Sequence, residues 1–253
     1  MKRVLFVLYL SIILTATSSA WGHMLWINVN NYQPDVGESV HIEISWGHKF
    51  PKDEIVKPER LARVYAVDPK GQSAPLNEIS AGHCELTVKQ PGAYLVFAEI
   101  KPGVYTKTTD GYKRQNKKGL DNALHCVSYD MRAKAVINVG GQDQGLSRET
   151  GDLLEIVPLA NPAGLKEGDT LPVKVLFRGA PLFRDFLHAT YAGFSNEGET
   201  FAFSTMINQE GKANIRLLKG GSWLVKIPHK RPYPDQEECD ENFFCSTLTF
   251  GVK

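Results

Sequence analysis

Alternation of apolar and polar residues runs through almost the whole chain. In the first half it is carried by "LWINV", "SVHIEISW", "RVYAV", "CELTV", "AYLVFAEI" and "KAVINV". In the second half "LLEIVPL", "LPVKVLF", "HATYAGF", "TFAFSTMI", "ANIRLL", "SWLVKI" and "STLTFGV" continue it. Successive side chains of a strand point to opposite faces, so this period of two predicts strands, and the Gly, Pro, Asn and Asp between them supply turns. No window carries an apolar stripe at helical spacing over three turns. The pattern predicts an all-β chain of two tandem immunoglobulin-like antiparallel β-sandwich modules.

Composition places the boundary between modules. "GGQDQGLSRETGD", residues 140–152, is glycine-rich and polar and reads as a linker between an N-terminal β-sandwich at 23–139 and a C-terminal one at 153–253. The halves also resemble each other. "YQPDVGESVHIEISWGHKFP" aligns with "AGLKEGDTLPVKVLFRGAPL", which sets Gly37-Glu38-Ser39-Val40 over Gly168-Asp169-Thr170-Leu171. In each copy a Gly-acid-hydroxyl turn launches an alternating strand. "YTKTTDGYKRQNKKG", residues 105–119, breaks the pattern and reads as a long exposed loop.

The N-terminus is different in kind. Met1-Lys2-Arg3, an apolar run from Val4 to Leu14 and the small residues after it describe a signal peptide over 1–22. The run is shorter than the roughly 20 apolar residues of a spanning helix. Small residues are wanted one and three positions before the cut. Ser18 and Ala20 suit a cut before Trp21, and Ala20 and Gly22 suit one before His23. A periplasmic or secreted protein with no stable membrane insertion after processing is expected. Lys and Arg total 29 against 28 Asp and Glu, so no basic field invites nucleic acid. Four cysteines fit an oxidising compartment. The pairing expected is Cys84 with Cys126 and Cys239 with Cys245, each bridge stapling one half.

Seven histidines are present, and strand register selects two of them. Suppose "HMLWINV" and "SVHIEISWGH" are antiparallel neighbours. Matching their apolar faces pairs Val29 with Ile42, Ile27 with Ile44 and Leu25 with Trp46, because opposed residues share a face. The next pair outward is His23 with His48. If processing cuts before His23, the α-amine and both imidazoles converge, a nitrogen set suited to a borderline divalent transition metal, with copper favoured on intrinsic affinity. His41 alternates onto the solvent face and is expected to have no role. His83-Cys84 and His125-Cys126 are weaker candidates: as free thiols beside imidazoles they would make a soft site suited to zinc. His229 ends a strand and could reach a cleft between the modules.

No G-x-S-x-G elbow, H-E-x-x-H helix or phosphate-cradling glycine loop is present, and no enzyme activity is expected. "HMLW", "GESVHIEISWGHKFP", "LLEIVPLANPAGLKEGDTLPVKVLFRGAPL" and "GKANIRLLKGGSWLVKIPH" resemble a family of exported bacterial proteins of unknown function, labelled as periplasmic components of nickel or cobalt uptake. The resemblance spans nearly all of the mature chain. It implies a divalent metal (nickel, cobalt or copper) as ligand, possible transfer to a membrane metal transporter, and ligand roles for His23, His48 and His229. The four cysteines and the paired "HC" dipeptides depart from the family pattern. Two other classes remain open: a tandem module that binds carbohydrate or protein without metal, and a copper oxidative enzyme built on an N-terminal histidine brace.

Overall fold

The computed structural model describes residues 23–253; the signal peptide expected over 1–22 and its expected cleavage position lie outside the described residues. Among the described residues the first half forms β1 (Met24–Val29), β2 (Ser39–Gly47), β3 (Glu54–Ile55), β4 (Leu61–Val67), β5 (Ser73–Ala74), β6 (Asn77–Ser80), β7 (His83–Thr87), β8 (Gly92–Ile100), β9 (Gly103–Thr108), β10 (Gly111–Lys113) and β11 (Ala123–Val139). The second half forms β12 (Leu154–Pro158), β13 (Thr170–Phe177), β14 (Ala180–Pro181), β15 (Phe186–Tyr191), β16 (Phe203–Met206), β17 (Lys212–Arg216), β18 (Gly221–Pro232) and β19 (Glu241–Val252). The all-β expectation holds, and among the described residues every strand pair but β11–β19 is antiparallel.

The strands make three layers. An outer sheet runs β1-β2-β7-β6 with β3 beside β2, and another runs β12-β13-β14 with β17 on β13. Between them lies a ten-stranded sheet in the order β16-β15-β18-β19-β11-β8-β4-β5, extended by β9 and β10. Its central strands are apolar on both faces, as burial on both sides requires. In β8, Tyr94, Val96 and Ala98 pack with β1 and β2, while Leu95 and Phe97 pack with β12, β13 and β17. The two sandwiches therefore share a middle layer. It is continuous because β11 and β19 pair in parallel, from Val127 opposite Glu241 to Ala135 opposite Thr249.

Hydroxyls of β19 tie the layers. Thr247 donates to the Leu25 carbonyl at 2.6 Å and Thr249 to that of Ile27 at 2.7 Å, satisfying buried acceptors on β1, the edge strand of its sheet. On the opposite side the buried Lys134 ammonium of β11 meets Glu155 of β12 at 2.6 Å. The same carboxylate accepts from the Thr150 amide, at 3.0 Å, and from the Thr150 hydroxyl, at 2.8 Å. These contacts and the buried Leu146 pack the 140–152 segment onto the core.

The internal repeat extends to individual hydrogen bonds. Gly37 and Gly168 have φ of 95° and 91°, in the left-handed region that favours glycine. Their amides donate to Val88 and Leu217 carbonyls, at 2.7 and 2.8 Å. Glu38 and Asp169 each turn a carboxylate back onto an amide, that of Asp35 and of Lys166 respectively. The β1-β2-β7 and β12-β13-β17 triplets are the repeated unit.

Two expectations need correction. The disulfide joins Cys126 to Cys239, while Cys84 and Cys245 are free and buried. The parallel β11–β19 pairing brings the segment before β19 to the start of β11, where Asp240 accepts from the Cys126 amide at 2.7 Å. A Cys239–Cys245 bridge is impossible because Cys245 lies within β19 and packs in the first core. Residues 105–119 are not simply a loop either. β9 and β10 form a hairpin about Thr109-Asp110, with Thr106 and Thr108 buried and donating to the Gln115 and Gly111 carbonyls. Threonines take the inward positions there, so no apolar alternation marks the strand.

Two outcomes test this fold. Denatured without reductant, the protein will label at two thiols, Cys84 and Cys245, as read by peptide mass mapping. Glu155→Gln will cost about 3–5 kcal/mol in urea unfolding, because it strands the buried Lys134 charge. Burial alone would raise the Glu155 pKa, but Lys134 and the Thr150 hydrogen bonds outweigh it and hold the carboxyl below its ordinary value. Its contribution is then complete above the ordinary glutamate range and is lost as pH falls through the lowered value. Wild type will lose more stability on acidification than Glu155→Gln does.

Candidate functional site

β1 and β2 pair in the register that their apolar faces require: Leu25 opposite Trp46, Ile27 opposite Ile44, Val29 opposite Ile42. All six side chains are buried in the first core. His23 and His48 stand one step beyond this ladder, and their ring centroids are 4.2 Å apart at 43°. The His23 ring also stacks on the Trp46 indole at 5.1 Å and 6°, and the Arg60 guanidinium lies 3.9 Å from the centre of a Trp46 ring. Burial first, then the neighbouring His48 and Arg60, push the His23 pKa below the usual histidine value; Glu54 and Asp53 oppose them. Its neutral, metal-ligating form is thereby favoured.

The turn that presents His48 is held from both sides. Asp53 accepts from the His48 amide at 2.7 Å and the Lys49 amide at 3.1 Å. A Cβ on Gly47 would collide with the Asp53 carboxylate, so this close return requires glycine. The Pro51 carbonyl accepts from Trp26 Nε1 at 3.1 Å and Asn28 Nδ2 at 2.7 Å, which ties the turn to β1. The strand bearing His23 thus also fixes the loop bearing His48.

The second half of the chain completes the surroundings. The His48 carbonyl accepts from the Glu199 amide at 2.8 Å, and His48 Nδ1 lies 3.2 Å from Glu199 Oε1. An Nδ1–H donated to this carboxylate leaves Nε2 as the basic nitrogen, the outer-shell arrangement common to metal-ligating histidines. Glu199 Oε1 also meets the fully buried Lys226 at 3.2 Å, and its Oε2 is buried with no hydrogen-bond partner among the described residues. Glu199 holds a φ of 57°, uncommon outside glycine and consistent with a position over-determined by its contacts. His188, opposite Lys226 on β15, stacks on Phe201 and bonds Ser204; burial, then Lys226, lower its pKa. No motif marks Glu199 or Lys226 in the sequence.

The other candidates are dispersed. His229 packs with Phe177 and Phe244 on the face of β18 that serves the second core, opposite to the face of Lys226. Its Nδ1 bonds Asp185 and its Nε2 accepts from Arg231 at 3.1 Å, so both nitrogens are engaged away from the His23–His48 pair. His125 lies beside Asp240 and Glu241, and His83 contacts His41 across the β2–β7 pair of the first outer sheet. The soft site of two histidines and two thiols is not formed, since Cys126 is bonded to Cys239. Among the described residues, no three or more His, Cys, Asp or Glu side chains are grouped to hold a metal. The His23–His48 pair therefore needs a donor from outside the side chains, and the α-amine of a chain beginning at His23 would be one.

Among the described residues no helix is long and apolar enough to cross a membrane. No curated protein matches the sequence. Several solved structures align over most of the chain at low identity. The D0-D1 domain of intimin is 13% identical, covering 90% of this chain and 97% of that one, with a TM-score of 0.23. Fibronectin(III)-like modules of Clostridium thermocellum CbhA are 8% identical, covering 90% and 94%, with a TM-score of 0.23. Murine CEACAM1b is 10% identical, covering 92% and 99%, also at 0.23. Superpositions this loose carry no functional argument. A family model is decisive: residues 20–231 match the domain of unknown function DUF4198, and the chain belongs to that family.

Proposed function

We propose that this chain is an exported, non-enzymatic protein of the periplasm that binds a divalent transition metal through His23 and His48. The observation that carries this reading is the paired imidazoles at the β1–β2 end, with His48 oriented by Glu199. Processing before His23 would add an α-amine, and amine and ring of one residue close a chelate. The donors are then three nitrogens, a set that suits nickel, cobalt and copper better than magnesium or calcium. An open ligand set of this kind also suits release to an acceptor such as a membrane metal transporter.

Two outcomes follow. N-terminal sequencing of the exported protein will begin at His23, and titration with Ni(II), Co(II), Cu(II) and Zn(II) will show a tight equivalent that His48→Ala removes. Competition among the four ions names the physiological one. A chain beginning at Trp21, or a tight equivalent that His48→Ala leaves unchanged, would overturn the assignment and favour a tandem module that recognises carbohydrate or protein. Glu199→Gln keeps the shape of the side chain but removes the charge behind His48. It will weaken the same equivalent by about tenfold or more, with the folded state retained in circular dichroism.

A further inference from the structure

We propose a second transition-metal site, formed by His41 and His83 on the open face of the first outer sheet. It does not depend on the reading of His23. β2 and β7 pair with His41 opposite Glu85 and Glu43 opposite His83, so histidine and glutamate alternate around a square of four neighbouring positions. Their sequence neighbours Ile42 and Cys84 point inward and are buried, which leaves the four polar side chains on the other face. The two histidines occupy one diagonal of the square, a separation that long side chains can bridge. Here they do: His41 Nε2 and His83 Nδ1 are 3.1 Å apart, with ring centroids 5.2 Å apart and planes at 28°.

That nitrogen separation is a chelate bite. With each nitrogen about 2.05 Å from a shared ion, 3.1 Å corresponds to an angle at the metal of roughly 98°, between the square-planar and tetrahedral values. In the metal-free pair one nitrogen donates its proton to the other. On binding, that proton passes to the second nitrogen of the same neutral ring, and both facing nitrogens then ligate without a net change in ring charge. Glu85 lies opposite His41 in the register, but among the described residues no carboxylate joins the two rings as a third ligand, so water completes the shell. Glu43 Oε1 is already held by Asn28 and Ser45, at 3.1 and 2.9 Å, and adds negative charge beside the ion.

The scaffold is rigid. β2 lies between β1 and β7, and β7 between β2 and β6. The His41 amide donates to the Asn30 side chain at 2.8 Å, and its carbonyl accepts from the Asn30 amide at 3.1 Å. Two imidazoles with water suit Cu(II), Ni(II) or Zn(II), and copper is the strongest of these by intrinsic affinity. The site cannot share an ion with His48. Seven residues of strand separate the two histidines by about 23 Å, and His41 and Trp46 face opposite sides of the sheet.

The test is Cu(II) titration of the exported full-length protein and its variants. Wild type will bind two equivalents, the second weaker. His83→Asn and His41→Asn will each lose that second equivalent and keep the first, since removing a ligand costs more than the roughly tenfold to hundredfold of an outer-shell change. His48→Ala will keep the second and lose the first, which separates failure here from failure at His23. His125→Asn, an exposed histidine on the middle sheet, will keep both. Unchanged thermal melting shows that each variant folds. The proposal is overturned if both His83→Asn and His41→Asn bind as wild type does, or if His48→Ala retains no equivalent.

Discussion

Burial of one face of β1 against β2 is the constraint on which the rest depends. Leu25, Ile27, Val29, Ile42, Ile44 and Trp46 are each no more than 7% exposed. Each such side chain contributes about 1.5–3 kcal/mol on burial, so together they rival the whole net stability of a typical domain. A slip of one residue would turn this face to water. The core therefore sets the register, and the register delivers His23 to His48. Both histidines are placed by the packing of residues with no polar chemistry of their own.

The shared middle sheet gives the pair its second support. Parallel pairing of β11 with β19 binds the halves into one body, and the loop before β16 then lies on the turn after β2. Glu199 reaches His48 by a side-chain and a backbone contact, and the same carboxylate touches Lys226 in the second half. Orientation of His48 thus depends on both halves of the chain. Glu199 is the contact shared by this end and β18 of the middle sheet.

Legibility in the sequence followed the range of the interaction. Strands with apolar alternation could be read, as could the Gly37/Gly168 repeat, because the pleat and the turn are local. The β1–β2 register was also legible, since both strands carry unambiguous apolar faces separated by one short connection. The Cys126–Cys239 bridge was not. It depends on a parallel pairing between strands more than a hundred positions apart, which no local pattern encodes. β9 escaped notice because its inward residues are threonines. His41 was correctly placed on the solvent face, but alternation says nothing about the diagonal that brings it to His83. His229 shares the parity of Trp223, Val225 and Ile227, so its direction into the second core was available in the sequence. Glu199 sits in a polar turn and carried no signal.

The most direct test of the central claim is X-ray absorption spectroscopy of the protein beginning at His23, loaded with one equivalent of Ni(II). With His41→Asn and His83→Asn in place, a first shell without sulfur and the multiple scattering of two imidazole rings is expected, falling to one ring or to no bound nickel when His48→Ala is added. A sulfur-containing shell, or one lacking imidazole, would contradict it and move the metal away from the β1–β2 end.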